Sequence, residues 1–169
     1  MDKRIETRFF EAYTAYADAI FRHCYFRVSD RELAKDIMQE AFTRTWHYLA
    51  RGKNPENLRA FIYRVASNLV IDHYRKKSSY SLEDLTERTG FDPPLDTTDH
   101  IMNAIDAKRA LALLPKLHER YRAVLTMRYI DDFSPKEIAA ITGESENAVS
   151  VRIHRAVQKL REYMEHTPL

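Results

Sequence analysis

The polar side chains near the C-terminal end are of the types that read bases. Asn147, Val151, Arg155, Gln158 and Glu162 recur at spacings of three and four, so they share one face of a helix. Arg152, His154 and Lys159 flank that face. An arginine can bond guanine with two N–H groups, an asparagine or glutamine can bond adenine in the same way, and an exposed valine suits the methyl of thymine. An exposed helix face of mixed charge is also ordinary solvated surface. The charges from Ser134 to Glu165 cancel nearly to zero by count, so electrostatics alone does not decide between the two readings.

A second basic group lies mid-chain. Arg59, Arg64, Arg75, Lys76 and Lys77 face a single acid, Asp72, across one stretch. Directly after it come Glu83, Asp84, Glu87, Asp92, Asp96 and Asp99 against one base, Arg88. A basic block beside an acidic one makes a field with direction, although the formal net charge of the chain is only +2. Other chemistry finds little support. The sequence has no glycine-rich phosphate loop, no paired-cysteine or H-E-x-x-H metal motif and no nucleophile elbow. The reading is therefore a non-enzyme with no cofactor and no metal. The single cysteine, Cys24, allows no intrachain disulfide and falls on an apolar helix face, where a small core residue is expected.

The elements that must position these residues are helices. Hydrophobic residues make up 44% of the 169 residues, charged ones 31%, and only three are glycine. The expected fold class is all-α: two small helical domains joined by a flexible acidic linker. Ile5, Phe9, Tyr13, Tyr16, Ile20, Cys24 and Val28 mark one face of a first helix. Ser29 and Glu32 fit a capping box that opens a second, with Leu33, Ile37, Met38, Ala41, Phe42, Thr45, Tyr48 and Leu49 inside. Pro55 suits the first turn of a third, which buries Leu58, Phe61, Ile62, Val65 and Leu69 and ends on Arg75-Lys76-Lys77. Residues 78–99 lose the periodicity and carry Gly90, Pro93-Pro94 and the acids, as a linker does, with a short helix around Leu82 to Glu87.

Helical spacing returns with Ile101, Ile105, Leu111 and Leu114, broken at Pro115. Leu117, Tyr121, Val124, Leu125 and Tyr129 form the next face, and Asp131-Asp132-Phe133 is a turn. Ser134-Pro135-Lys136-Glu137 combines an N-cap, a proline at the first helical position and a capping glutamate. Gly143 suits a C-cap and Ser145 the next N-cap, before a last helix that buries Val149, Ile153, Ala156, Leu160 and Met164. A short helix, a glycine-centred turn and a longer helix make a helix-turn-helix. Ordinary bundles contain the same pair, so a stand-alone DNA-binding regulator and a plain helical domain both remain open on pattern alone.

Three stretches together resemble the RNA polymerase sigma-70 family, in its extracytoplasmic-function group. The run Arg31 to Trp46 carries an acid, two apolar residues, Gln39-Glu40, the aromatic Phe42 and a later tryptophan, as the family's core-polymerase-binding helix does. The run Leu58 to Lys77 is similar to the helix that engages the −10 element, and Leu114 to Arg161, with Arg152-Ile153-His154-Arg155-Ala156, to the domain that reads the −35 element. The resemblance implies a factor that binds core RNA polymerase and directs promoter recognition, DNA opening and transcription initiation.

The same resemblance implies three sets of residues. Asp36, Gln39, Glu40, Phe42 and Trp46 would meet the polymerase. Lys53, Asn54 and Asn57 would hold a base flipped out of the −10 element, and Arg59, Arg64, Asn68, Arg75 and Lys76 would follow the opened strand. Ser145, Asn147, Ser150, Val151, Arg152, His154, Arg155 and Lys159 would face the −35 element. It also implies domains at 1–77, 78–99 (the linker) and 100–169, and an anti-sigma factor as partner. Glu144, where the family usually has an aliphatic residue, departs from the pattern, as do Ser150 and Val151. Met1 to Glu11 is too charged for a signal peptide, and no apolar run approaches the roughly 20 residues of a bilayer span, so the expectation is a cytoplasmic protein that inserts in no membrane.

Overall fold

The computed structural model describes residues 3–77 and 104–168, all of them in helices and the turns between them. The linker at 78–99, the short helix around Leu82 and the position of Ile101 lie outside the described residues. The first lobe has three helices: α1 (Lys3–Val28), α2 (Arg31–Ala50) and α3 (Leu58–Lys77). The second has α4 (Ala104–Leu113), a 3-10 turn at Leu114–Lys116, α5 (Glu119–Leu125), a π-helical turn at Thr126–Ile130, α6 (Pro135–Thr142) and α7 (Glu146–His166).

Local chemistry sets most boundaries. Ser134 Oγ accepts from the Glu137 backbone N–H at 3.2 Å, and the Glu137 carboxylate accepts from the Ser134 N–H at 2.7 Å, so the expected capping box is complete. Gly143 closes α6 in the left-handed region (φ 75°), which a side chain there would strain. Ser145 caps α7 through the Ala148 N–H at 3.1 Å.

Two of the expected starts are corrected. The N-cap of α2 is Asp30, whose Oδ1 accepts from the Leu33 N–H at 3.0 Å, while Ser29 takes a left-handed φ of 55° and lets the chain reverse. Pro55 precedes α3, whose start is held by Asn57 Oδ1 accepting from the Ala60 N–H at 3.0 Å. Asp and Asn outcompete their neighbours here because a short carbonyl side chain reaches the free N–H groups of a first turn directly.

The first lobe closes around Ile20, Cys24, Ile37, Ala41, Phe42, Ile62, Ala66 and Val70, all buried. Fully burying one such aliphatic side chain contributes about 1.5–3 kcal/mol. In the second lobe, Leu113, Leu114, Leu117, Tyr121, Val124, Leu125, Met127, Ile138, Ile141, Val149, Ala156 and Leu160 form the core. Tyr129, expected on that inner face, is 55% exposed. The π-helical turn adds a residue to the ring of backbone bonds, so the helical register slips. Met127 goes inward in its place, followed by Phe133.

Burial on α1 and α3 exceeds what one apolar face would give. His23 and Arg27 on α1, and Tyr63 and Ser67 on α3, are also buried, on the side where both helices pack against the second lobe. The lobes are in contact: α6 lies on α3, and α5 and the π-helical turn lie on α1.

Candidate functional site

The outer face of α2 presents Asp36, Gln39 and Glu40 to solvent. Glu40 is ion-paired with Arg44 one turn later, 2.7 Å away. Phe42 is a different case. It is 3% exposed, with its ring edge-on to Tyr13 at 4.9 Å and Phe9 at 6.2 Å. Phe42 therefore supports this face from within the core and does not form part of it. Trp46 is half-buried, 5.1 Å from Phe9. On α1, Tyr13, whose ring meets Phe42, is 41% exposed, and Phe10 is 64% exposed on a side of the helix shared with Thr7, Glu11 and Thr14. Sequence reasoning missed Phe10, which lies off the inner stripe of α1. Its signal was the Phe9-Phe10 pair, because adjacent residues of a helix point to different sides. The result is a half-buried Trp46 in line with Gln39 on a polar, partly acidic helix face, with the exposed edge of Tyr13 on the neighbouring helix.

The loop between α2 and α3 holds Lys53, Asn54 and Asn57, all exposed. Lys53 Nζ lies 5.3 Å over the Tyr48 ring, which packs against Phe61 at 4.5 Å. Arg8, a residue the sequence did not single out, reaches across from α1. Its guanidinium donates to Asn54 Oδ1 and, at 3.2 Å, to the Pro55 carbonyl. Asn54 thus has its oxygen engaged, and its amide N–H groups are the donors left to offer. Asn57 is occupied in capping α3.

Along α3 the expected basic row divides. Asn68, Arg75 and Lys76 are exposed, with Arg75 3.8 Å from Asp72. Arg59 and Arg64 point at the second lobe instead. Arg59 donates to the Asp131 carbonyl at 3.1 Å and lies over the Phe133 ring at 4.3 Å. Arg64 donates to the Ala140 carbonyl at 2.7 Å. Arg64 remains exposed despite this bond, so within the row only Arg59 is partly covered by the second lobe.

In the helix-turn-helix, Asn147 and Lys159 are exposed, while Ser150, Val151, Arg152, His154 and Arg155 are half-exposed. Ser145 is used as the α7 cap. Lys159 sits 3.5 Å from Glu162. Arg152 is held by Glu144 in a two-pronged pair: Nη1 to Oε1 is 2.7 Å, and Nη2 bonds Oε2. The Arg152 hydrogen bonds hold the Glu144 carboxyl below the usual carboxylate range, against its partial burial. Glu144 therefore replaces the hydrophobic contact usual at a helix start with an ion pair across the turn. It also engages both terminal nitrogens of Arg152, the pair a guanine would need.

No His, Cys, Asp and Glu cluster among the described residues could hold a metal ion, and no described helix is long and apolar enough to cross a membrane. Burial pushes the Cys24 thiol up to about 12, so it has no thiolate character at neutral pH.

Comparison with known proteins gives these surfaces a context. The family descriptions "Sigma-70 region 2" and "Sigma-70, region 4" match residues 12–80 and 107–160. The chain is 30% identical over 150 residues to an ECF RNA polymerase sigma factor, SigL, of Mycobacterium tuberculosis, covering 88% of this chain and 84% of that one. It is 31% identical over 160 residues to the ECF RNA polymerase sigma factor SigW of Bacillus subtilis, with the same coverage of 88% and 84%. Two solved structures share its fold. One is the sigma factor RpoE in complex with the anti-sigma factor NepR from Bartonella quintana: TM-score 0.69 and 17% identity, covering 95% of this chain and 99% of that one. The other is CnrH in complex with the cytosolic domain of CnrY: TM-score 0.69 and 22% identity, covering 96% and 91%.

Proposed function

This chain belongs to the sigma-70 family, in its extracytoplasmic-function group, and from that premise we infer how its surfaces divide the work of starting transcription. The protein is a sigma factor: it binds core RNA polymerase and directs it to promoters. The observation that carries this reading is the order of the two family regions, one on each lobe, with a fully capped helix-turn-helix in the second.

In this reading residues 1–77 bind polymerase and the −10 element, 78–99 are a linker, and 100–169 read the −35 element. The exposed Asp36, Gln39 and Glu40, with Trp46, dock on the polymerase, and Phe42 stiffens the face from below. Lys53 and Asn54 meet an extruded base, Asn54 with its amide donors turned outward by Arg8. Asn57 anchors the loop. Asn68, Arg75 and Lys76 follow the strand, joined by Arg59 and Arg64 once they leave the second lobe. At the −35 element Asn147, Ser150, Val151, His154 and Arg155 face the groove, and Lys159 meets phosphate. Arg152 sets the angle between turn and helix through Glu144. One of the structural relatives was solved in complex with an anti-sigma factor, NepR, and an anti-sigma protein is the partner expected here. The factor itself carries no catalytic step; the polymerase does.

Transcription with sigma-free core RNA polymerase and a pool of genomic fragments tests this. New discrete start sites that require the protein are expected. Their absence, together with tight binding of fragments by the protein alone, would instead indicate a stand-alone regulator.

A further inference from the structure

Two asparagines give the loop between α2 and α3 its only side chains that could either donate or accept. Of the loop's other exposed polar side chains, Arg51 and Lys53 carry donors only, and Glu56, as a carboxylate, accepts in any orientation. A carboxamide has an acceptor oxygen on one side and two N–H donors on the other, and a half-turn exchanges them. Asn57 is fixed locally, because its Oδ1 accepts from the Ala60 N–H at 3.0 Å. Asn54 is fixed from 46 residues away.

Arg8, half-buried on α1, donates from Nη1 to Asn54 Oδ1 and from Nη2 to the Pro55 carbonyl at 3.2 Å. A guanidinium has no acceptor, so only the oxygen of the amide can face it, and the Asn54 N–H groups must turn away. The second prong bonds the backbone at a proline, whose ring already fixes φ. One fork therefore holds both the side chain and the backbone of the loop. The neighbouring Lys53 Nζ, 5.3 Å over the Tyr48 ring, also offers N–H groups alone. Asn54 is itself exposed, so its two free N–H groups are what it has left for a ligand.

We propose that Arg8 is a positioning residue that sets which base this loop accepts. The inference rests on the reading of the loop as the holder of an extruded −10 base. With its oxygen on Arg8, Asn54 suits a base edge with adjoining acceptors, such as N3 and O2 of cytosine or N7 and O6 of guanine. It is denied the pairing that an unrestrained asparagine makes with adenine, in which the oxygen accepts from N6 and the amide donates to N7. Arg8 touches no base in this account; it selects by taking an acceptor away. Its charge also attracts phosphate, but alike for every sequence.

The test uses holoenzyme assembled from core RNA polymerase and the full chain, as wild type, Arg8→Ala, Asn54→Ala and the double variant. Each binds labelled promoter forks whose −10 strand carries each of the four bases in turn at each position. The position at which Asn54→Ala changes the base preference is the one Asn54 meets. The readout there is the affinity for the preferred base over that for adenine, a ratio that compares sequences on one holoenzyme and so does not move with its stability. Arg8→Ala should lower the ratio about tenfold, toward the low end of what one bidentate base contact discriminates, with adenine bound more tightly. In the double variant the ratio should be that of Asn54→Ala alone. A loss in Arg8→Ala that is equal for all four bases overturns the proposal, as does a further fall in the ratio once Asn54 is already removed, or an Asn54→Ala holoenzyme with wild-type preferences at every position. If wild-type holoenzyme shows no base preference in the −10 strand, the promoter reading fails and the proposal with it; if wild type shows one and Arg8→Ala keeps it, only the role of Arg8 falls.

Discussion

Removing Glu144 should strengthen the grip of the helix-turn-helix on DNA and make it more sensitive to salt. In the structure Arg152 spends both terminal nitrogens on Glu144, and the two side chains are 22% and 30% exposed. A pair this open contributes about 0.5–1 kcal/mol at most once solvent screening is allowed for. In Glu144→Gln that hold is lost, and a negative charge beside the start of α7 disappears. Arg152 is then free to meet a phosphate. One extra phosphate contact steepens the slope of log K against log salt by about 0.9, which at 0.1 M salt corresponds to binding about eightfold tighter. The assay is fluorescence anisotropy of holoenzyme on a labelled promoter duplex recovered from the transcription pool, between 50 and 200 mM salt. A second variant, Glu144→Gln with Arg152→Ala, should return the slope to the wild-type value. An unchanged slope in the single variant, or an equal gain in the double, would refute the idea that Glu144 sequesters Arg152. A loss of discrimination between −35 variants would mean that Glu144 instead aims Arg152 at a base.

Further outcomes are expected. The depressed Glu144 carboxyl has a lower pKa folded than unfolded, so its contribution to stability is present above the ordinary carboxylate range and fades as pH falls through the folded value. Thermal melts should accordingly show a loss of stability at acid pH that is smaller in Glu144→Gln. Gln39→Ala with Glu40→Ala should abolish capture by core polymerase with the melting temperature nearly unchanged, whereas Phe42→Ala should cost about 3–5 kcal/mol of stability, because it empties a packed core. A polymerase-binding defect in the first variant that tracks a lowered melting temperature would remove Gln39 and Glu40 from the interface. Ser134→Ala should destabilise the second lobe by about 1 kcal/mol, measured by chemical denaturation, through loss of the α6 cap. The Cys24 thiol, fully buried and raised to about 12, should resist a thiol reagent until the chain unfolds.

How much of this was legible beforehand varies with the range of the interaction involved. The α6 box, Gly143 and the Ser145 cap are bonds between residues at most four apart, so sequence order already fixes who can meet. The same locality explains the near misses at the start of α2 and α3. Asp30 against Ser29, and Asn57 against Pro55, are choices between neighbours that differ by a few tenths of a kcal/mol, and propensity alone does not separate them. The apolar stripes of α1 and α2 were likewise readable, because burial of a helix face leaves a period in the chain.

What the sequence by itself determined, then, is an all-helical chain with a helix-turn-helix, a mixed polar and basic face on its last helix and a family likeness that fixes its trade. The tertiary structure alone decided which polar side chains one lobe engages on the other. Arg59 and Arg64 look like any basic helix face until Asp131 and Ala140, more than seventy residues later, arrive over them. His23 and Ser67 break the apolar period of their helices, because His23 is satisfied by Asp131 of the other lobe and Ser67 by His23 and Arg27 of α1. Tyr129 is turned outward by a π-helical slip that leaves no mark in spacing. The first two depend on contacts between distant parts of the chain. A hydrogen bond or ion pair of that kind leaves no periodic trace in the sequence, since its two halves are unremarkable until folding brings them within 3 Å or so of each other.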